Sequence, residues 1–574
     1  MSEPVGSSSF ATMREHNPNA AKRSLIAAPV RRRWTLALDL GDVTDGAPRM
    51  PPADGIEVEW QFGVDDLATA ERVLHERADA LGLTLTPATT TVLLDEYLDT
   101  ADWAFHRASF ALRLREADGA AEATLKDFGD QTDGPYRRRE INEPLDAAAM
   151  GELLASTGPV ARRVRAVVGP GELRGLFSLR TERSTFDVHA NGGQPVAEVA
   201  LDATDVENAR GAAHALSRIE LELADPDALA AVEQLATALG AVEGFEPASG
   251  SKFAAGLAAT GQSPDAPPDL GPTRVRPEST LGEVAYAALR RQFGRFLANE
   301  PGTRLGEDIE ALHDMRVATR RLRTGLAVFD AALPPSLAGL RPEFGWVADA
   351  LGDVRDLDVQ IEWLGTEAAA LPGPGEDSAL APLIDILGVR REEARSRMLD
   401  VLDSPRFAAL VEGATAVLRE GATTPAGAVP AADVAPALLR KRWRRYQRLA
   451  RGLSAASPED DYHDTRIRAK RIRYTTEFTA RLYGGDATGF VDALKRTQND
   501  LGRYQDAAIA VDLLERTAAA QPLPRHTVFA MGRLAERQRE AIRSVMETFP
   551  ATHREVRREW RRLRAVLEGG AEGA

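Results

Sequence analysis

Cysteine is absent from the chain of 574 residues, and this absence restricts its chemistry. Without thiols the protein has no disulfides, iron–sulfur clusters, thiol nucleophiles or cysteine-bound zinc. Any metal ion must therefore bind to carboxylates or imidazoles. This composition agrees with a reducing cytoplasm.

Long hydrophobic runs are also absent. No stretch of about 18 apolar residues is present, as a membrane-spanning helix would need. The N-terminus lacks the charged, apolar and small-residue order of a secretory signal. We therefore expect a soluble, cytoplasmic protein. Residues 1–53, rich in Ser, Pro, Gly and Asn, predict a disordered extension.

Positive charge is scarce overall but locally dense. The formal net charge is -15, which argues against a protein whose whole surface binds nucleic acid. However, Arg440 to Arg448 contains only basic charges, and Arg554 to Arg564 is also strongly basic. Any site for a polyanion must therefore be a patch on an acidic molecule.

Two kinds of sequence pattern divide the chain. Residues 259–277 are rich in Pro, Gly and small polar residues, which neither continue a helix nor pack a core, so they predict a linker. Before the linker, at 54–258, apolar and polar residues alternate with period two, as in strands. After it, at 278–566, apolar residues recur with period 3.6, as in helices. A second Pro/Gly/Ala-rich stretch, Gly421 to Pro436, divides the helical part into units of about 280–420 and 430–566.

The strands of the N-terminal domain carry charges on one face. In Ile56 to Phe62, Ile56, Val58, Trp60 and Phe62 alternate with Glu57, Glu59 and Gln61. A single such strand would ordinarily be half exposed to solvent, but the same alternation recurs in several strands. Unpaired charges facing a closed interior are costly unless water, metal and a counter-charged ligand fill it. The pattern therefore predicts an antiparallel β-barrel or tunnel with helices, of the α+β class.

The types of charge in these strands suggest a ligand. Carboxylates spaced by two residues, as in Glu57 with Glu59 and Glu220 with Glu222, can share Mg²⁺ or Mn²⁺. Arg and Lys side chains on neighbouring strands can hold phosphate oxygens, and Arg can do so through two parallel hydrogen bonds.

At these residues the sequence resembles the CYTH, or triphosphate tunnel metalloenzyme, family over about 54–258. The resemblance rests on an ordered series of short motifs: Glu57-Val58-Glu59, Tyr97-Leu98-Asp99-Thr100, Leu112-Arg113-Leu114-Arg115, Thr124-Leu125-Lys126, Arg138-Arg139-Glu140, Arg180 with Arg183, Glu198 with Asp202, Glu220-Leu221-Glu222 and Ser251-Lys252-Phe253. Gln61 stands where the family has a lysine.

The resemblance implies metal-dependent hydrolysis of inorganic triphosphate or polyphosphate, by attack of water on a terminal phosphoryl group. It implies metal ligands among six carboxylates: Glu57, Glu59, Glu198, Asp202, Glu220 and Glu222. It implies substrate-binding cations at Arg113, Arg115, Lys126, Arg138, Arg180, Arg183 and Lys252. The residues it marks as catalytic are Glu57, Glu59, Arg113 and Lys126. The amide of Gln61 keeps a hydrogen-bond donor but loses a charge, so turnover could be weaker or the substrate different.

The helical part repeats itself at a constant spacing of 150 residues. His313-Asp314-Met315-Arg316 matches His463-Asp464-Thr465-Arg466, and Arg320-Arg321-Leu322-Arg323 matches Lys470-Arg471-Ile472-Arg473. Leu351-Gly352 with Asp356 matches Leu501-Gly502 with Asp506. One spacing for all motifs indicates two homologous units.

Within each unit, His and basic residues spaced by three and four positions form one helical stripe. An arginine-rich face is usually just solvated, but its recurrence with the histidine suggests an anionic partner. These motifs resemble the CHAD family, the conserved-histidine α-helical domain, over about 278–566. The resemblance implies two duplicated four-helix bundles that bind polyphosphate without catalysis. The implied polyphosphate-binding residues are Arg290, Arg291, His313, Arg316, Arg320, Arg323, Arg440, Lys441, His463, Arg466, Lys470 and Arg473.

Several hypotheses remain open at this point. The protein is a triphosphatase whose helical domain gathers polyphosphate, or a non-catalytic protein that binds, targets or scaffolds polyphosphate, associated with polyphosphate granules in the cytoplasm. Nucleic acid could occupy the same basic faces, although no nucleic-acid motif is present. Metal binding by His313 and His463 lacks supporting ligands beyond Asp314 and Asp464. The choice among triphosphate, polyphosphate and nucleotides, and the oligomeric state, stay open.

Overall fold

The structure is a computed structural model that describes residues 55–129, 135–190, 193–207, 214–248, 250–370, 379–483 and 486–569. The predicted extension at 1–53 lies outside these residues. The N-terminal part is an antiparallel sheet in the order β10-β1-β6-β5-β4-β3-β7-β8-β9, and pairing of β1 with β9 closes an eight-stranded barrel. The strands are β1 (Gly55–Val64), β2 (Leu83–Leu85), β3 (Thr89–Thr100), β4 (Phe110–Ala117), β5 (Ala120–Asp127), β6 (Tyr136–Leu145), β7 (Leu173–Ala190), β8 (Pro195–Glu207), β9 (His214–Leu223) and β10 (Phe245–Pro247).

Helices cover the outer face of this barrel. The helices are α1 (Leu67–Ala80), α2 (Ala104–Arg107), α3 (Met150–Ala155), α4 (Pro159–Val168), α5 (Leu229–Gly240) and α6 (Lys252–Thr260). One core cluster joins α1 and α5 to β7, β8 and β9, and another joins α2, α3 and α4 to β4, β5 and β6. Apolar residues of the strands face these helices and the alternating charged residues face the lumen, as the period-two pattern predicts.

One motif of the N-terminal series has a structural role. The carboxylate of Asp99, 1% exposed, accepts hydrogen bonds from the backbone N–H groups of Thr100, Phe105 and His106. The bonds from Phe105 and His106 satisfy N–H groups at the start of α2, which no earlier turn can satisfy. Asp99 therefore anchors the turn between β3 and α2 and does not reach the lumen network.

The C-terminal part consists of helices, in agreement with the 3.6 periodicity. They are α7 (Leu281–Leu305), α8 (Ile309–Val328), α9 (Pro335–Ala338), α10 (Leu340–Ala369), α11 (Ala381–Leu402), α12 (Pro405–Glu420), α13 (Ala431–Ala450), α14 (Glu459–Thr479), α15 (Asp486–Ala520) and α16 (Arg525–Gly569). The first unit is built on α7, α8, α10, α11 and α12, and the second on α13 to α16. The two units differ because a single long helix, α16, takes the place of α11 and α12. Ser404 caps the N-terminus of α12 and Pro405 is its first residue, which makes a new helix start there.

The two units meet through a symmetric backbone contact. The N–H of Leu281 donates to the carbonyl of Val429 at 2.9 Å, and the N–H of Ala431 donates to the carbonyl of Ser279 at 2.9 Å. Leu281 and Ala431 are equivalent residues of the two units, as are Ser279 and Val429. Equivalent groups therefore exchange equivalent bonds, which indicates a local pseudo-two-fold relation between the units.

Polar and apolar contacts join the barrel to the helical part. Glu307, between α7 and α8, forms ion pairs with Arg139 of β6 and Arg163 of α4. Arg107 of α2 donates to the carbonyl of Leu297 at 2.7 Å. Leu305, 2% exposed, belongs to the same core cluster as β4, β5 and β6. The two parts are therefore packed on each other as well as connected in sequence.

The Pro/Gly-rich segment before α7 is packed rather than free. It forms neither helix nor strand beyond Gly261, as its composition predicts. However, Leu270 and Val275 are 7% and 6% exposed and belong to the core of the first helical unit. The expectation that the linker packs no core is therefore wrong, because two isolated apolar residues suffice to anchor it. Among the helices that the structure describes, none is both long enough and apolar enough to cross a bilayer.

Candidate functional site

The barrel lumen collects most of the predicted N-terminal site residues. Residues that are directly opposite in an antiparallel pair point to the same face. Glu57 is opposite Arg138, Glu59 is opposite Glu222, and Glu222 is opposite Glu198. The registers of the other pairs place further predicted residues on this face: Arg113, Arg115, Lys126, Arg183, Asp202 and Glu220.

One ion network lies around Lys126 of β5. Its ammonium contacts the Glu57 carboxylate closely, the Glu140 carboxylate at 3.2 Å and the Glu59 carboxylate at 3.5 Å. The Arg138 guanidinium lies 3.1 Å from Glu59, and both side chains are 4% exposed. Three carboxylates therefore share two cations, Lys126 and Arg138.

A second network joins β7, β8, β9 and the start of α6. The Arg183 guanidinium makes two hydrogen bonds to Asp202, at 2.8 and 2.7 Å, and a third to Glu220 at 2.7 Å. The Lys252 ammonium bonds the same two carboxylates, with 2.9 Å to Glu220. Asp202 is fully buried, so these cations are what makes its charge tolerable. Both carboxylates are engaged as ion-pair partners.

Two lumen residues were missed by the sequence reasoning. Asp95 of β3 holds Arg115 through two hydrogen bonds, at 2.7 and 2.9 Å, and lies 3.9 Å from Arg113. Although burial opposes it, the two guanidiniums lower the pKa of Asp95 to about 2. Arg218 of β9 is 6% exposed and donates to the carbonyl of Gly250 at 2.9 Å. The alternation of inward-facing and outward-facing residues along β3 and β9 would have placed both residues in the lumen.

Gln61 also faces the lumen. It is opposite Glu220 in the register and 7% exposed. The Arg218 guanidinium approaches the Gln61 amide oxygen at 3.5 Å. A cation is therefore present next to the position where the family has its lysine, although another strand supplies it.

Arg180 is not brought into the lumen, contrary to the implied phosphate-binding role. It is exposed on the outer face of β7, opposite Leu94 of β3 and Asp205 of β8. Arg183 is three residues further along the same strand and faces inward. A spacing of three puts two strand residues on opposite faces, so only one of this pair can line the lumen.

The lumen offers suitable donors for a divalent cation. Burial and the neighbouring carboxylates raise the pKa of Glu57 to about 9 and that of Glu222 to about 7, against the opposing effect of Lys126. Glu59, Glu222 and Glu198 form one row across three strands. As placed, no three carboxylate or imidazole side chains within the described ranges are close enough to hold a metal ion. The oxygen donors fit a hard cation that displaces their protons, while Glu57 contacts Lys126, and Glu59 contacts Lys126 and Arg138.

A basic cleft of about 660 Å³ lies between the two helical units. Helices α8, α10, α13 and α14 line it, and its lining contains ten Arg or Lys residues and no Asp or Glu. Seven predicted residues line it: Arg316, Arg320, Arg323, Lys441, His463, Arg466 and Lys470. Four further cations were not predicted as site residues: Arg341, Arg442, Arg445 and Arg471. Arg442 and Arg445 belong to the basic run at 440–448, and Arg471 to the repeated block, so both motifs carried the signal.

The centre of the cleft holds cations that repel each other. Burial and the nearby Arg320, Arg466 and Arg316 lower the pKa of Lys470 from 10.5 to about 6. The Nε of Arg466 is buried and has no hydrogen-bond partner among the described residues. Arg316 has a carboxylate partner, Asp356, at 2.9 Å. The lining is therefore strongly basic and contains one buried unsatisfied donor, the Nε of Arg466.

Other predicted residues lie outside this lining. Arg290, 7% exposed, donates to the carbonyls of Leu418 and Pro272, and Arg291 donates to the carbonyl of Thr273. These two arginines therefore hold the end of α12 and the linker segment. Both residues are absent from the cleft lining because they face α12 and the linker rather than α14.

His313, Arg440 and Arg473 are likewise not in the lining. His313 is partly buried, and its burial together with Arg355 lowers its pKa. Arg440 lies near Tyr483, where burial raises the pKa of the tyrosine to about 12 and the charge of Arg440 offsets part of that rise. Arg473 forms an ion pair with Glu477 at 3.1 Å.

The comparisons with known proteins agree with the two-part architecture. The CYTH domain model matches residues 55–255, and the CHAD domain model matches residues 287–515. No curated protein matches the chain.

Solved structures match each part separately. The CHAD domain from the plant Ricinus communis is 29% identical, with 49% of this chain and 96% of the other covered and a TM-score of 0.41. PptA from Streptomyces chartreusis is 24% identical, with 48% and 100% covered and a TM-score of 0.40. A protein from Hippeastrum, named as an adenylyl cyclase and described as having a dominant triphosphatase activity, is 20% identical, with 36% and 96% covered and a TM-score of 0.28.

Proposed function

Because the chain carries a CYTH domain followed by a CHAD domain, we propose that it hydrolyses inorganic triphosphate or polyphosphate in the barrel and binds polyphosphate in the basic cleft. In this proposal the predicted domains at 54–258 and 278–566 have separate tasks. The protein acts in the cytoplasm and associates with polyphosphate granules through the cleft.

The observation that carries the proposal is the lining of the cleft. Ten Arg or Lys side chains face one cavity without an acidic residue among the lining side chains, and burial together with the neighbouring arginines lowers the pKa of one of them, Lys470, to about 6. Such a concentration of like charge is unfavourable in the empty protein, and a chain of phosphates relieves it by releasing its own counterions. Guanidinium groups suit phosphate because each can donate two parallel hydrogen bonds.

In the barrel, the phosphate-binding groups would be the lumen cations Arg113, Arg115, Lys126, Arg138 and Arg183, together with Lys252. Water attacks the terminal phosphorus, the bond to the bridging oxygen breaks, and the products are phosphate and a chain shorter by one phosphate. The cations stabilise the charge that spreads over the phosphoryl oxygens in the transition state.

A divalent cation, Mg²⁺ or Mn²⁺, would be held by the carboxylates of the lumen row. We assign Glu57, Glu59, Glu198 and Glu222 to this task, because burial and the neighbouring carboxylates raise the pKa values of Glu57, Glu198 and Glu222, and a divalent cation would favour their charged forms by displacing protons. When bound, the cation supplies charge neutralisation and polarises the phosphate. Asp202 and Glu220, which the family resemblance also implies as ligands, are committed to Arg183 and Lys252, so we assign them to orienting those cations.

A turnover screen tests the hydrolytic part. Phosphate release is measured with triphosphate, long polyphosphate and nucleoside triphosphates, each with Mg²⁺ or Mn²⁺. We expect turnover by the wild type, unchanged turnover by Arg180→Ala on the outer face, and none by Glu57→Ala/Glu59→Ala. The absence of turnover in the wild type, with folding verified, would overturn hydrolysis.

A second candidate is a polyphosphate-binding protein without turnover. Gln61 and the existing ion pairs of Arg183 and Lys252 favour it, since a substrate must displace those carboxylates. This candidate predicts tight polyphosphate binding with no phosphate release. Competition by single-stranded nucleic acid in the same binding assay tests whether the cleft discriminates between the two polyanions.

A further inference from the structure

The two sides of the basic cleft have diverged between the repeated units. The first side, called the open arm, consists of Arg323, Thr324, Ala327 and Arg471. The second, called the closed arm, consists of the residues 150 positions away in each case: Arg473, Tyr474, Glu477 and Arg321. All of the open arm lines the cavity, whereas Tyr474 alone of the closed arm does so.

Glu477 binds both arginines of the closed arm and offsets one of their two charges. Its two oxygens bind Arg321 at 2.9 Å and Arg473 at 3.1 Å. The equivalent position in the open arm is Ala327, which has no charge to offer. Accordingly Arg323 and Arg471 have no ion pair with a carboxylate within the part of the chain that the structure describes.

Tyr474 is the bulky aromatic equivalent of Thr324 in the open arm. Its side chain is fully buried, and its hydroxyl oxygen accepts a hydrogen bond from Arg320 at 2.9 Å. The guanidiniums of Arg321 and Arg473 lie over its ring, at 4.9 and 4.8 Å from the centroid. Two cations that a symmetric cleft would present to a ligand are therefore held against an aromatic ring.

We propose that Tyr474 and Glu477 close one end of the cleft, so that it receives the terminal segment of a polyphosphate chain rather than letting the chain run through. This inference rests on the proposed polyphosphate binding and adds its specificity. A linear chain offers an end and a cyclic phosphate does not. The cleft should therefore prefer linear oligophosphates over cyclic ones with the same number of phosphates.

Exchanging the two equivalent residues tests the proposal in the full-length protein. Glu477→Ala frees Arg321 and Arg473, and Ala327→Glu supplies a partner for Arg323 and Arg471. Binding of linear and cyclic hexaphosphate and of long polyphosphate is measured by calorimetry at several salt concentrations. Circular dichroism melting confirms that each variant is folded.

For Glu477→Ala we expect tighter binding of long polyphosphate and a smaller preference for the linear hexaphosphate. If both freed guanidiniums reach the chain, the slope of log K against log salt should steepen by about 1.4, at about 0.7 for each cation on a single-stranded phosphate chain. An unchanged slope together with an unchanged preference would overturn the proposal. Tyr474→Phe keeps the aromatic ring and removes the hydroxyl that accepts from Arg320. It should keep the preference for linear hexaphosphate, which shows that the ring, and not the hydroxyl hydrogen bond, closes the cleft.

Ala327→Glu separates this inference from the proposed function. We expect it to weaken polyphosphate binding by about tenfold or more at low salt, because the new carboxylate pairs with Arg323 and Arg471 and offsets one of their two charges. If it has no effect, the cleft is not the polyphosphate site and the proposed function fails there. If it weakens binding while Glu477→Ala changes neither slope nor preference, only the closed end is refuted.

Discussion

Polyphosphate binding should take up a proton at Lys470. The empty cleft surrounds this ammonium with Arg316, Arg320 and Arg466, and burial adds to their effect, so its pKa is about 6. Asp506 is the opposing carboxylate. At pH 8 the empty site is therefore only about 1% protonated at Lys470, whereas an ordinary lysine is fully charged. Phosphate oxygens next to the amine favour its charged form, so binding and protonation must strengthen each other.

The size of the effect follows from this linkage. Between about pH 7 and pH 9, affinity should fall close to tenfold for each unit of pH, since one proton is taken up per site. The lowered pKa of Lys470 determines the direction of this pH dependence. The amine is neutral when the cleft is empty and charged when the cleft is occupied, so a higher pH disfavours binding. Each unit by which polyphosphate raises the pKa of Lys470 corresponds to about 1.4 kcal/mol of coupling between binding and protonation.

Calorimetry in two buffers with different ionisation enthalpies measures this proton directly. We expect an uptake near one proton at pH 8 for the wild type. For Lys470→Arg we expect almost none, because a guanidinium stays charged at every pH used. The terminal phosphates of the ligand titrate equally in both proteins, so the variant is the control. Equal uptake by both proteins, or none by the wild type, would refute the reasoning.

Three more predictions concern the rest of the molecule. Arg183→Ala should lower the free energy of unfolding by about 3 to 5 kcal/mol, because two buried carboxylates lose their main partner, while Arg180→Ala should leave chemical denaturation unchanged. Arg290→Ala should destabilise the protein by about 2 to 3 kcal/mol through its lost hydrogen bonds to backbone carbonyls, with an unchanged polyphosphate Kd measured by calorimetry. Mn²⁺ should bind more tightly as pH rises from 6 to about 9 and should release protons on binding. The reason is that the raised pKa values of Glu57 and Glu222 keep both groups protonated until the metal displaces the protons. Binding that does not depend on pH would contradict this prediction.

The barrel could be predicted from sequence because its pattern has a period of two. Charges recurring at alternate positions assign each residue to the lumen or to the outer helices, and the strand registers confirm that assignment for Glu57, Glu59 and Arg113. The same rule excludes Arg180 once Arg183 is inside. The family resemblance implied that both residues bind phosphate, but their spacing of three already indicates that one of them faces away from the lumen.

The helical cleft was less accessible to such reasoning. The repeat identified equivalent residues, but equivalent residues need not have equivalent neighbours. Arg323 lines the cavity while Arg473 pairs with Glu477, because the units differ at the position of Ala327. Similarly, spacing along α7 cannot show that Arg290 faces α12, since that depends on the packing of distant helices.

The contacts of Glu307 with the barrel have a consequence for a ligand that reaches both parts. Arg139 and Arg163 bind Glu307, and Leu305 packs in a core cluster of the barrel, so the first helical unit is held directly against the barrel wall. Under the proposed function, a polyphosphate chain bound in the cleft would meet the lumen at a local concentration set by chain length and by this packing rather than by a flexible tether. Chain length then becomes a kinetic variable: once a polymer spans both sites, lengthening it further dilutes its free segment.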